Sequence, residues 1–271
     1  MLGGMDRAHL FALAAESLAA AGALGGLLYL LVSFFALRRH ADVRSWRRLA
    51  GSFLHEALAV AVSQPLLPLF YVLGRRMGGD PRGRPVVFVH GYFQNRGDFV
   101  YLAARLRRAG LGPLYGFNYS WLESIPACAA RLGVFIEHVS AETGQSKVAI
   151  VAHSLGGVVA LEYLGTPEGA ARVDRCVTIA SPHAGVTWRG GMVGHAARQL
   201  YAQSRYMQSR ASGALPVRVV SLFSTHDNIV HPAKTSALIN RGGRDVVVDN
   251  LGHLSMLFSR KVADLTIDGL R

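Results

Sequence analysis

The stretch "AHSLGG", residues 152–157, sets Ser154 among small residues between two apolar runs, "KVAIV" and "VVALEYL". A serine hydroxyl at such a strand-to-helix turn can act as a nucleophile when an imidazole takes its proton and an acid holds that imidazole in place. The same six residues also suit an ordinary tight turn. The partners that would decide between these readings must lie elsewhere in the chain. His90, His153, His183, His226, His231 and His253 are candidate bases or supports, and Asp227, Asp245 and Asp249 are candidate acids.

The elements that would position these residues begin at residue 85. Short β-branched runs there alternate with longer helical ones: strands over 85–90, 114–120, 147–153, 175–181, 216–224 and 245–250, and helices near 97–109, 125–142, 155–164, 190–210 and 254–264. This alternation predicts an α/β fold, a mostly parallel sheet with helices on both faces. In such a sheet functional residues gather at the carboxyl ends of the strands. The segments at those ends are "HGYF" (90–93), "AHSLGG", "SPHAG" (181–185), "STHDNIVHP" (224–232) and "LGHLSML" (251–257). A serine, an acid and a histidine thus follow separate strands, in the order Ser154, Asp227, His253.

This ordered set over residues 85–271 resembles the α/β-hydrolase superfamily, in particular its bacterial lipases and esterases, where a G-x-S-x-G elbow precedes an acid and then a histidine. Ala152 replaces the first glycine of that elbow; with Gly156 it keeps small side chains two residues either side of the serine. The resemblance implies Ser154 as nucleophile, Asp227 as orienting acid and His253 as base. Asp227 is favoured over Asp245 and Asp249 by lying in "HDNIVHP", and His253 over His226 and His231 by following the last strand. The oxyanion would be met by the backbone amides of Tyr92 and Leu155. His90 and Gly91 would brace the oxyanion loop, with His153 and His183 giving hydrogen-bonding support around the elbow. Residues 186–215 are where this fold commonly carries a cap. Here they are short, with an apolar stripe of Met192, Val193, Ala196, Ala197, Leu200 and Tyr201 that fits a crossover helix packed on the sheet.

Residues 1–74 have a different character. Ser17 to Leu37 form an uncharged stretch of 21 residues, long enough as a helix to cross a bilayer core of about 30 Å. It runs into "RRHADVRSWRR" without a cleavage-site pattern, so a retained membrane anchor is expected rather than a signal peptide. Residues 57–74 are also uncharged but are broken by Gln64, Pro65 and Pro68, which fits a kinked second span, a re-entrant or interfacial segment, or a helix laid against the globular domain. The arginine-rich segment 38–48 belongs on the cytoplasmic side. One span would leave the remaining chain in the cytoplasm and two would place it outside, so the sequence assigns a membrane, the bacterial inner membrane, without assigning a side. Residues 75–84, rich in glycine, proline and arginine, read as a linker.

The 29 basic residues exceed the 17 acidic ones by 12. The excess is spread along the chain with no basic run interleaved with aromatics, which argues against nucleic acid as partner. Cys128 and Cys176 have no metal or redox spacing and fit buried thiols. No metal or cofactor motif appears in its required context. The expectation is a membrane-anchored serine hydrolase of carboxylic esters, with lipid or acylglycerol esters as the substrate class, without cofactor. Thioesterase, amidase and acyltransferase chemistry would use the same residues, and a noncatalytic binding protein on the same scaffold is the alternative of a different class.

Overall fold

Strands covered by helices on both faces must be apolar at nearly every position, and the runs beyond residue 85 meet that demand. A computed structural model describes residues 7–40, 46–187, 193–210 and 213–271. Its strands are β1 (Val86–Val89), β2 (Leu114–Phe117), β3 (Val148–His153), β4 (Val173–Ile179), β5 (Arg218–Ser224) and β6 (Arg244–Val248). They pair in parallel in the order β2-β1-β3-β4-β5-β6. β1, β2 and β3 are buried throughout, whereas the edge strand β6 is exposed at Arg244 and Val247. The helices are α1 (Arg7–His40), α2 (Trp46–Ser63), α3 (Val100–Arg108), α4 (Ile125–Thr143), α5 (Leu155–Leu164), α6 (Pro167–Arg172), α7 (His195–Gln199), α8 (Arg205–Arg210) and α9 (Arg260–Leu270).

Alternation along the strands divides the core. Val87, Val89, Ile150 and Ala152 face α4 and α5 in one apolar layer. Val86, Phe88, Ala149 and Val151 face the other, which includes Leu102 and Leu106 of α3 and Val262 and Ile267 of α9. Leu30, Phe34 and Leu37 of α1, with Ala59 and Val60 of α2, belong to that second layer. The N-terminal helices are therefore packed on the sheet domain.

That packing corrects the expectation of a free-standing anchor. Among the described residues no helix is long and apolar enough to cross a membrane. The side chains of residues 17–23 lie outside the described part. In the rest of the 17–37 stretch, Leu30, Ser33, Phe34 and Leu37 are buried at helical spacing against the protein. The second apolar stretch kinks where its prolines stand: α2 ends at Ser63 and a 3₁₀ turn runs over Gln64–Tyr71 with Pro68 inside it. Residues 75–78, within the 75–84 stretch, run along the edge of β2. Met77 N–H donates to Leu114 O (2.8 Å), Leu114 N–H to Gly78 O (2.7 Å) and Gly116 N–H to Arg75 O (2.9 Å). An edge strand left bare would expose unpaired backbone groups.

In the cap region the single helix expected near 190–210 is two short ones, α7 and α8, with Met192 outside the described residues. Ala196, Ala197 and Leu200 of the expected stripe are buried and Val193 is exposed. Both cysteines are buried and free, and burial pushes their thiols up to about 12. They are poor nucleophiles there.

Candidate active site

The sheet order changes direction between β1 and β3, and in open parallel sheets the crevice at such a switch is where ligands bind. The loop after β1 and the turn after β3 both open there. Ser154 occupies that turn with φ 53 and ψ −125, a conformation seldom adopted by a residue with a Cβ. Its N–H donates to Ile179 O at the end of β4 (2.9 Å). Gly156 is required by close approach, because a Cβ there would collide with the carbonyl oxygens of Val89 and His90. The alanine at 152 is tolerated because it lies in β3 as an ordinary buried strand residue. Ser154 itself is 7 % exposed.

The loop after β1 is held rigidly. His90 stacks on Tyr119 at 4.3 Å and accepts the Tyr119 N–H at Nε2 (3.3 Å), while the Tyr119 hydroxyl donates to His90 O (2.7 Å). Burial lowers the His90 pKa to about 4 and keeps it neutral, which suits a brace and not a proton-transfer group. Gln94 Oε1 accepts the Gly91 N–H (2.8 Å) and lies 2.8 Å from His153 Nδ1. The other nitrogen of His153 lies 3.1 Å from the carbonyl oxygen of His253. Burial, then the neighbouring His253, hold the His153 pKa well down, so the neutral ring, with one N–H to donate to one of these two oxygens, sits between the two loops beside Ser154.

Asp227 and His253 meet across the loops after β5 and β6. His253 Nδ1 lies 2.9 Å and 3.0 Å from the two Asp227 oxygens, and Asp227 Oδ1 also accepts the N–H groups of Ile229 and Val230 at 2.8 Å. Both residues are buried, as is the His153 ring, 4.7 Å from that of His253. Burial by itself would push His253 down. The charge and hydrogen bond of Asp227, with the charge of Glu56, outweigh it and raise the His253 pKa above the ordinary 6.5.

The competing residues are engaged elsewhere. Asp249 accepts from Thr225 Oγ1 (2.9 Å), and Asp245 accepts the N–H groups of Leu238 and Ile239 (2.8 and 3.2 Å). His226 Nδ1 is 2.9 Å from Thr225 Oγ1, and the His231 carbonyl accepts from Thr187 (3.0 Å). His183 Nε2 meets Thr178 Oγ1 at 2.9 Å, and burial lowers its pKa to about 3. Tyr92, Phe93 and Trp121 form an aromatic cluster beside the β1 loop with ring centroids 4.2–4.8 Å apart. The Tyr92 hydroxyl bonds the backbone of Val193 at 2.7 Å and ties the cap to that cluster.

A family model for the class 2 lipases matches residues 83–253, more than half of the chain. The chain belongs to the class 2 lipases. That family hydrolyses carboxylic esters. Among solved structures, lipase B of Aspergillus fumigatus superposes with a TM-score of 0.60 at 20% identity, covering 69% of this chain and 52% of that one. The chain thus spans about half the length of the fungal lipase. The mature lipase BlEst2 of Bacillus licheniformis gives 0.56 at 18% identity over 70% of this chain and 91% of that one. A type II thioesterase from a borrelidin biosynthetic cluster, BorB, gives 0.51 at 18% over 73% and 95%. At these identities the likeness is one of fold, and the fold is that of the α/β-hydrolases.

Several residues around this candidate site were not found by sequence reasoning. Gln94 and Tyr119 lie within or after motifs that were recognised. Asn228 directly follows Asp227, and its side-chain oxygen accepts the His253 N–H at 2.8 Å. Glu56 accepts the N–H groups of Leu254 (2.9 Å) and Ser255 (2.8 Å) from the far side of the base loop. Its signal was present in the sequence: it is the one acid of α2.

Proposed function

We propose that this chain hydrolyses carboxylic esters through a covalent acyl-enzyme, with Ser154 as nucleophile, His253 as general base and then acid, and Asp227 as the acid that orients it. The observation that carries this reading is the buried Asp227–His253 pair at the sheet's carboxyl edge, where Ser154 sits in its strained turn. With Nδ1 committed to Asp227, Nε2 is the nitrogen left to take the serine proton. Ser154 Oγ then bonds the ester carbonyl carbon, and His253 returns the proton to the departing alkoxide. Water, deprotonated by the same nitrogen, cleaves the acyl-serine and restores the hydroxyl. The oxyanion of each step would be met by the backbone N–H groups of Tyr92 and Leu155, donors of a kind worth roughly 3 kcal/mol each. Leu155 opens α5, whose first amides lack intrahelical acceptors and whose dipole favours negative charge.

The substrate class we propose is lipid or acylglycerol esters, met at a membrane surface. The aromatic cluster, in which Phe93 is 60 % exposed, offers an apolar wall for an acyl chain. The outward faces of α1 and α2 expose Leu24, Leu28, Leu31, Phe35, Leu58 and Val62, and Arg38, Arg47 and Arg48 are exposed beside them. An apolar face rimmed by arginines suits a bilayer with anionic headgroups. This makes the membrane seat a surface contact by the helix pair, at the inner membrane if the chain is bacterial as its sequence resemblance implies.

The test is turnover of p-nitrophenyl butyrate, laurate and palmitate, with a matching thioester, by the full chain and by Ser154→Ala and His253→Ala. Collapse in both variants is expected, with esters preferred over the thioester and longer chains favoured. Equal background rates in three folded proteins would sink the catalytic reading in favour of a binding protein.

A further inference from the structure

Ser52, His55 and Glu56 stand at the i, i+3, i+4 spacing of one face of α2, and that face is turned to the loops after β5 and β6. Ser52 Oγ donates to His226 O (3.3 Å), and a ring nitrogen of His55 lies 3.1 Å from Asn250 O. Glu56 is fully buried. Its Oε1 accepts the Leu254 N–H and the Tyr29 hydroxyl of α1 (2.9 and 2.8 Å), and its Oε2 accepts the Ser255 N–H (2.8 Å). Asn228 closes the network, accepting the His253 N–H and donating to Ser33 Oγ (2.8 Å) and the Tyr29 hydroxyl (3.2 Å). Gly252 leaves room for this approach, since a Cβ there would lie 2.5 Å from Glu56 Oε2 and 2.9 Å from Asn228 Oδ1.

The N-terminal segment also grips the loop after β1. The Arg96 guanidinium donates to the carbonyls of Phe70, Tyr71, Val72 and Leu73 at 2.6–3.2 Å, and Asn95 Nδ2 to Leu67 O at 2.7 Å. Both loops that would serve Ser154 are thus fastened to residues 24–74.

We propose that Glu56 is a positioning residue for the base, fixing the backbone immediately after His253 so that the imidazole stays aligned between Asp227 and Ser154. The inference rests on the reading of His253 as base. A buried carboxylate is costly unless its oxygens find donors, and three donors converge on Glu56. Helix pair and base loop therefore specify one another's position. Because the Glu56 carboxylate also favours the protonated form of His253, its removal has a readout in the pH profile beside the one in kcat.

The groups facing His253 are Asp227 from the β5 loop, His153 from the end of β3 and Glu56 from α2, with Tyr29 behind Glu56 and His90 beyond His153. Activity needs neutral His253. Removing the Glu56 charge takes away one influence that raises the His253 pKa, so the acid limb of kcat/KM should move to lower pH.

The experiment compares full-chain wild type, Glu56→Gln, Tyr29→Phe and His253→Ala on p-nitrophenyl butyrate across pH, with melting temperatures. In Glu56→Gln the amide nitrogen would oppose one of the two backbone N–H groups. We expect kcat to fall by about 10–100-fold, as for a small misplacement of a catalytic group, with KM near wild type and the acid limb lowered. Tyr29→Phe removes a single donor, and a several-fold loss in kcat at constant KM is expected. That variant decides the matter should Glu56→Gln not fold, and an unchanged kcat in it would then overturn the proposal. An unchanged kcat and acid limb in folded Glu56→Gln would also overturn it, as would a loss of melting temperature and kcat with the limb unmoved. Full activity in His253→Ala would instead remove the reading on which the proposal rests.

Discussion

The helix pair of residues 24–63 and the sheet domain of residues 86–271 are built in opposite senses. In the sheet domain most leucine, valine and isoleucine side chains point inward, and both faces of the sheet are covered. In the helix pair several polar side chains are buried, among them Ser33, Ser52, Glu56 and Ser63, while leucines and Phe35 are exposed. A helix pair that hides carboxylate and hydroxyl groups needs a polar partner to satisfy them, and the leucines it shows to solvent are the face proposed to meet a membrane. The polar partner is the pair of loops carrying Asp227 and His253. What looks from composition like an appendage is bonded to the site itself.

Four experiments break or sharpen this contrast. The largest effect is expected within the sheet domain: Asp227→Asn should lower kcat by about 10⁴-fold with KM little changed, because the amide leaves His253 in the wrong tautomer. Steady-state kinetics on p-nitrophenyl butyrate checks it. Next comes the junction. Gly252→Ala in the full chain should cost about 10²-fold in kcat, and the same change made in Glu56→Ala should cost less, since the nearer of the two oxygens it would strike has gone and only Asn228 Oδ1 remains in its way. Equal costs in the two backgrounds would separate the junction from catalysis.

The pH profile reads the electrostatics of the same junction. The His253 pKa is raised in the folded protein, and the reacting form is neutral, so kcat/KM should fall about tenfold per pH unit on the acid side of a midpoint above 6.5. A midpoint below 6.5 would contradict the arrangement of Asp227 and Glu56 around the ring. The outward face concerns binding alone. Leu28→Gln and Phe35→Gln should each weaken co-flotation with anionic phospholipid vesicles by roughly tenfold, with kcat on the soluble butyrate ester unchanged. Undiminished flotation in the double variant would remove the membrane seat from the account.

Legibility followed the same division. β1 and β3 are continuous buried runs rich in valine and bounded by glycine and polar loops, and the predicted 147–153 and 155–164 differ from the observed elements by no more than a residue. The residues at their carboxyl ends could therefore be placed in one crevice before any coordinates. α6 was missed because Pro167–Arg172 is too short for a helical period to show. The cap was read as one helix where two short ones stand, since the spacing over 192–201 does not register the turn between them. In α1 the buried positions 30, 33, 34 and 37 obey the helical period, but the opposite face is equally apolar and masks them. Glu56 was passed over because a lone acid beside an uncharged run marks the end of that run in one dimension. Only the fold brings it against Leu254 and Ser255, some two hundred residues away.

The central claim is that Ser154 is a nucleophile activated by His253. Its most direct test is incubation of the intact chain with a fluorophosphonate, followed by mass mapping of the adduct. The account predicts a single adduct on Ser154, forming far more slowly in His253→Ala. Absence of an adduct in folded wild-type protein, or an adduct on a different residue, would contradict it.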